Sequence, residues 1–307
     1  MGHTEIKNGE KPFDNDSLLL ELPGHYGRFL PDGLRLVTAE KMSKVNVRDS
    51  ASGSRLSSLY DSYPYAQFLM PSDCSLDGRF IAVCATTGWV KIWNAQTYEL
   101  IGTIKTPGWK FGCAFSPDGN YIAFWGFTDA EIWRIPNELE PFIKFDHQIH
   151  DAAFSPDGKI LLAVQNDFLT LLDPFTGKKM KIFDSNHNRT SCCAYSPCGR
   201  WIVSGTSYGT IRIIDARMEA MMGEIKGHGS KVTCCNFSPC GNWLISGSDD
   251  KSIKIWDVDS RKETVKIQNR VGLLSAGFSP SGERIITTSD RIRIWDFDRL
   301  LQFANQG

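Results

Sequence analysis

Residues 227–257 read GHGSKVTCCNFSPCGNWLISGSDDKSIKIWD. Three runs in this stretch, KVTCCNF, WLISGS and SIKIW, alternate apolar and other residues, and turns at Pro239-Cys240-Gly241 and Asp249-Asp250 separate them. Period-two alternation broken by Pro, Gly and Asp predicts short antiparallel strands, because those residues supply turn dihedrals and weaken strand interiors. One such unit leaves apolar faces uncovered, so it needs stacked copies.

The copies are present. The turn after the first strand recurs as FLPDG at Phe29, CSLDG at Cys74, FSPDG at Phe115 and Phe154, YSPCG at Tyr195, FSPCG at Phe237 and FSPSG at Phe278. It closes on Gly33, Gly78, Gly119, Gly158, Gly199, Gly241 and Gly282, at successive spacings of 45, 41, 39, 41, 42 and 41 residues. Seven units near forty residues, each with three or four short strands, predict a β-propeller. Gly227-His228, SGSDD at Ser246 to Asp250 and IWD at Ile255 to Asp257 resemble the WD-repeat family. The resemblance runs from about residue 17 to 307. It implies an all-β fold of seven four-stranded antiparallel blades.

The chain ends decide how the ring closes. Residues 1–16 are polar and without period, which predicts a flexible tail before a propeller spanning 17–307. SLLLEL, Ser17 to Leu22, is strand-like, whereas LLQFANQG at the other end alternates poorly. The N-terminal segment is therefore expected to supply the outer strand of the last blade and remove an exposed sheet edge. The rival is an outer strand over Leu300 to Ala304.

Composition narrows the function classes. The 307 residues carry a formal net charge of −1, which gives no reason to expect nucleic acid as a partner. No apolar run approaches a spanning helix, so membrane insertion is not expected. The start lacks an apolar signal core, and Ile6 stands where a myristoylation site usually has Ser or Thr. Nine cysteines without secretory features point to reduced thiols in the cytoplasm or nucleus.

The resemblance also implies a buried tetrad of His, Ser or Thr, Asp and Trp. Only the sixth repeat has all four, as His228, Ser246, Asp250 and Trp256. The Trp position elsewhere holds Arg48, Trp93, Trp133, Leu172, Ile214 and Trp295, and the seventh repeat offers Asn269 in place of His. The expectation is one polar-stapled blade and six held mainly by apolar packing.

Little in the chain suggests catalysis. Gly205 to Gly209 matches G-x-S-x-G, but Ser207 falls in a strand-to-strand hairpin, and that motif needs a following helix. Cys192-Cys193 and Cys234-Cys235 occupy matching places in adjacent units. Neighbours on a strand point to opposite faces, so neither pair can chelate from one side. Cys113, Ala152, Cys193, Cys235 and Ala276 share one column, which reads as a need for a small apolar residue. His147, His150 and Asp151 have no nucleophile or third ligand at a recognisable spacing. No metal, cofactor or enzymatic activity is expected.

By resemblance, partners would dock on the rim formed by the starts of the innermost strands and the hairpins between second and third strands. Six and four residues before each turn aromatic stand Phe68 and Met70, Trp109 and Phe111, Gln148 and His150, Arg189 and Ser191, and Lys231 and Thr233. Phe127 and Tyr208 fall in nearby hairpins. Aromatics and Arg are the usual interface anchors, so a protein or peptide with an apolar anchor and an acidic portion is the expected partner. The chain is expected to be a monomer within a larger complex. Ile213 to Arg217 also resembles, in part, the WDxR element of substrate receptors of cullin ubiquitin ligases, which would give Asp215 and Arg217 an adaptor contact.

Overall fold

A computed structural model describes residues 15–40, 44–59, 69–85, 88–106, 108–135, 141–145, 147–183 and 189–305. Seven four-stranded antiparallel sheets stand in it, each in simple up-and-down order except the last. Their innermost strands are Tyr26–Phe29, Leu69–Cys74, Lys110–Phe115, Ile149–Phe154, Thr190–Tyr195, Val232–Phe237 and Ser275–Phe278, numbered here as blades one to seven. The second and third strands of each blade are the most buried, because both faces are covered by neighbouring blades. Phe80–Ala85, for example, is buried throughout. Apolar clusters accordingly bridge blades; one joins Ile245 and Ile255 of blade six to Ile285 and Trp295 of blade seven.

The seventh blade takes its outer strand from the other end of the chain. Leu18–Pro23 pairs antiparallel with Arg291–Asp296, placing Glu21 opposite Arg293 and Leu22 opposite Ile292. Leu22 is buried with Phe29, Leu36, Ile286, Ile292 and Ile294, and Glu21 takes ion pairs from Arg291 and Arg293 at 3.3 and 2.8 Å. The rival strand over Leu300 to Ala304 is not formed. Phe297–Asn305 is an α-helix instead. Asp296 caps it by accepting the Arg299 N–H at 3.0 Å, and Phe297 and Leu300 are buried against blades six and seven. Of the N-terminal tail, residues 1–14 lie outside the described residues, and Asn15–Ser17 forms a 3-10 turn leading into the strand.

The inner ring is stitched from blade to blade by polar side chains. Asp73 of blade two accepts the Phe115 N–H at 2.8 Å and pairs with Arg28 of blade one at 3.1 Å. Asp151 of blade four accepts the Cys193 N–H at 2.9 Å, the Ser191 hydroxyl donates to Val232 at 2.5 Å, and the Asn236 amide donates to Ala276 at 2.7 Å. Burial pushes the Asp151 carboxyl up to about 7, against the N–H bonds from Cys193 and Ala152.

In blade six the Trp256 indole donates to the Ser246 hydroxyl at 2.8 Å, and that hydroxyl lies 2.7 Å from His228 Nε2. The other ring nitrogen faces Asp250 at 3.1 Å and the Ser252 hydroxyl at 3.0 Å. The carboxylate fixes Nδ1 as the donor, so Nε2 accepts from Ser246 and the chain of bonds runs in one direction through a neutral imidazole. Burial also favours the neutral ring, lowering its proton affinity against the pull of Asp250. Four of the other blades are not left to apolar packing alone, because different residues make buried polar contacts there. In blade three the Trp133 indole donates to buried Glu131 at 2.9 Å, and fully buried Lys110 meets Asp129 at 2.9 Å. In blade seven Trp295 donates to Thr287 at 2.9 Å, while Asn269 donates to Ser289 at 3.0 Å. Blade one, with Arg48 at the Trp position, ties that guanidinium to Glu40 at 2.5 Å. Blade five pairs buried Arg212 with Glu224 at 3.1 Å.

Two expected outcomes follow from these contacts. Deleting residues 1–22 exposes the edge of blade seven and the face that Leu22 covers, about 2 kcal/mol for that side chain alone. Its urea midpoint falls well below that of a deletion of residues 1–14, which leaves the strand intact; equal midpoints refute the closure. Asp250→Ala leaves the Gly229 and Ser252 donors unmatched and lowers stability at pH 7 by roughly 1–3 kcal/mol. Desolvation opposes ionisation of Asp250, yet bonds from Ser252 and Gly229 hold the carboxyl well below its ordinary value. The stabilisation is therefore complete above the unfolded value near 4 and fades as pH falls below it. Chemical denaturation at pH 7 and pH 3 shows parent and variant converging at the lower pH.

Candidate functional site

The rim residues depend on a local irregularity at the start of the innermost strands. In blades three to six the pairing skips one residue: Lys110 faces Gly126 and Gly112 faces Trp125, and the same shift occurs at Ile149/Asp151, Thr190/Cys192 and Val232/Cys234. The skipped residues are Phe111, His150, Ser191 and Thr233. A bulge of this kind re-aims a side chain and ends regular alternation, which strand periodicity alone does not disclose.

Blade three turns this geometry into an apolar cluster. Trp109 precedes the strand, and Phe127 sits in the hairpin between Tyr121–Gly126 and Ala130–Arg134. Gly126 permits their approach, since a Cβ there would lie 2.0 Å from the Trp109 carbonyl oxygen. The Phe127 N–H donates to that oxygen at 3.4 Å. The Phe127 ring packs edge-on to Phe111 with centroids 4.2 Å apart and lies 6.2 Å from Trp109. Trp109 and Phe127 remain 59% and 52% exposed, while Phe111 is half-buried against the blade three–four core. Phe68 lies outside the described residues, as does the side chain of Met70.

Blades four to six bring polar groups to the same rim. His150, Arg189 and Lys231 are exposed. Arg189 reaches Asp167 at 3.4 Å. Burial lowers the proton affinity of His150, with Asp167 opposing and Lys231 reinforcing the effect. Tyr208 is 64% exposed on a hairpin held from both sides: the Ser207 N–H donates to Arg189, and Gly209 accepts from the His228 N–H. The tetrad of blade six thus lies directly beside the Tyr208 hairpin.

The other candidate chemistry resolves into packing. Ser207 lies between two strands with no helix following. Cys192 and Cys193 are both buried, and the Cys192 sulfur meets Cys235 of the next blade at 3.5 Å rather than its own neighbour. The facing Cys235 thiol, and then burial, push Cys192 well above the ordinary thiol value. Among the described residues no group of three or more His, Cys, Asp or Glu could hold a metal ion. No helix among them is long and apolar enough to cross a membrane. Asp215 is buried and accepts the Arg217 and Met218 N–H groups at 2.9 Å each, while Arg217 is exposed.

Comparison with known proteins yields a family model, the WD domain, G-beta repeat, matching residues 177–215 and 220–257. Each match starts near the outer strand of one blade and ends at the third strand of the next. A Dictyostelium discoideum serine-threonine kinase receptor-associated protein is 29% identical over 31% of this chain and 30% of its own length. An uncharacterized WD repeat-containing protein of Synechocystis is 28% identical over 42% of this chain and 38% of its own. Human apoptotic protease-activating factor 1 is 24% identical over 60% of this chain and 14% of its own. The chain thus spans well under half the length of each of these relatives. The chain is thus a seven-bladed β-propeller of four-stranded sheets, two of whose repeats match the WD-repeat model.

Proposed function

We propose that this propeller is a non-catalytic interaction scaffold that grips a peptide or loop of a partner protein on the rim of blades two to six. The observation that carries the reading is the cluster of Trp109, Phe111 and Phe127. Its rings pack on one another, yet two of them are more than half exposed. Large apolar side chains held rigidly in water lose little entropy on binding, and such exposed clusters commonly mark contact surfaces. Arg189, Lys231 and Tyr208 on the neighbouring arc favour an acidic portion in the same ligand. A reducing compartment, cytoplasm or nucleus, fits nine cysteines present as unbridged thiols.

The anchor is tested by truncation. Trp109→Ala and Phe127→Ala, compared with the parent in pull-downs from cell extract quantified by mass spectrometry, each lose bound partners. Truncating a hot-spot aromatic costs ~2 kcal/mol, about a thirty-fold loss of affinity. Thermal melts run in parallel stay near the parent, because both rings are largely in solvent. A large fall in melting temperature with partners retained makes Trp109 a core residue and defeats the reading.

A further inference from the structure

At the opposite end of blades three and four the turns leave an opening of about 400 Å3, lined by Pro117, Pro156, Pro174, Tyr121, Phe154 and Phe175 together with Asp118, Asp157 and Lys159. Beside it, blade three is short at its outer edge. Its outer strand, Ile143–Phe145, has three residues, whereas those of the other blades have five to seven. Phe142, just before that strand, and Phe175, in the turn of blade four, are 40% and 47% exposed. With Tyr121 they form a ring cluster: Tyr121 lies 5.4 Å from Phe142 and 5.6 Å from Phe175, and the two phenylalanines are 6.4 Å apart.

The opening also carries charge. The Ser116 hydroxyl donates to Asp118 at 2.5 Å and the Ser155 hydroxyl to Asp157 at 2.6 Å, and the N–H groups of Asn120 and Lys159 donate to the same carboxylates. Asp157 is held below the ordinary carboxylate value by Ser155 and Lys159, and Asp118 by Ser116 and Asn120 against its partial burial. Both are therefore fixed anions at neutral pH. The cation in the lining, Lys159, is 79% exposed and 3.8 Å from Asp157. Aromatic faces and carboxylates select the same ligand group. A guanidinium stacks on a ring and pairs with a carboxylate through its planar fork, and desolvation strengthens both contacts. The proline rings and the Phe154 side chain add an apolar floor of the sort that accepts an extended, proline-containing chain. An anionic ligand such as a phosphate or an acidic peptide would meet two fixed carboxylates.

We infer that this opening between blades three and four is a second docking site, occupied by an extended, proline-containing segment of a partner protein that carries an arginine. Its arginine stacks against Phe175 and pairs with Asp118 or Asp157, while its prolines lie on Pro117, Pro156 and Phe154. The site is independent of the rim at the other end of the blades.

The test uses the full chain and three synthetic peptides in calorimetric titrations: acetyl-APPRPPA-amide, and its counterparts with glutamate or leucine in place of the arginine. The arginine peptide binds with a Kd below ~1 mM, and the glutamate peptide gives no measurable binding. Phe175→Ala and Asp157→Asn each weaken the arginine peptide by about five-fold or more, the loss expected for one desolvated cation–ring or ion-pair contact. Asn at 157 still accepts the Ser155 hydroxyl and the turn N–H, and Phe175 is half in solvent, so unchanged thermal melts separate lost binding from lost folding. Trp109→Ala leaves the titration unchanged, which keeps this site distinct from the rim. Three results overturn the inference: no binding of the arginine peptide to the parent, equal binding of the arginine and glutamate peptides, or a concentration-dependent dimer in sedimentation that Phe175→Ala abolishes, which would assign the opening to a second copy of the chain.

Discussion

The ring holds together through a strand contributed by residues 18–23 to a sheet built from residues 275–296. Six blades are continuous in sequence and close locally. The seventh closes only when the two ends of the described chain meet. The entropic cost of joining distant segments grows only logarithmically with the length between them. A single strand with paired backbone groups, the buried Leu22 and two ion pairs to Glu21 can therefore offset it. The helix that follows Asp296 adds to the same closure. Phe297 packs at 5.2 Å on Phe278 and at 5.7 Å on Trp243, so the start of that helix covers blades six and seven together.

Closure also explains why the blade interiors tolerate so much variation. Once neighbouring blades cover both faces of a sheet, each buried polar group needs some partner, but not a particular one. Blade six meets that need with His228, Ser246, Asp250 and Trp256. Blade three does so with Glu131 and Lys110, and blade one with an arginine at the Trp position. The inner strands show the same freedom, stitching successive blades through Asp73, Asp151, Ser191 and Asn236 at four different junctions.

These substitutions mark the boundary of what the sequence discloses. The glycines from Gly33 to Gly282 recur because each closes a tight turn at positive φ, and a repeat that depends on one residue type at a fixed interval is legible. Strand alternation is legible for the same reason, and so is the strand character of SLLLEL. The substitute networks are not, since Glu131 and Lys110 carry no shared pattern and meet partners fixed only in three dimensions. The bulges at Phe111, His150, Ser191 and Thr233 are equally silent, because one skipped residue leaves the apolar pattern unchanged. The terminal helix left a trace that strand alternation does not weigh: Asp296 at a capping position, then Phe297, Leu300, Leu301 and Ala304 on one face. Of the rim, the apolar character of Trp109, Phe111 and Phe127 could be read, but not the glycine that lets their rings meet.

Blade three departs from its neighbours at both ends, and the two departures have separate causes. At one end Gly126 lets three rings come together above the strands. At the other, beside an outer strand of three residues, Phe142 and Phe175 are partly exposed. The two ends are joined by the rigid, buried strand Tyr121–Gly126, whose six residues span ~20 Å at the usual strand rise. That separation sets a length rule. One short peptide cannot touch both surfaces, and an extended segment must run about six residues or more along the edge of the blade to bridge them. A partner that engages both ends therefore does so through a long extended tail or through two separate segments. The stiffness of the blade then lets the first contact raise the local concentration for the second.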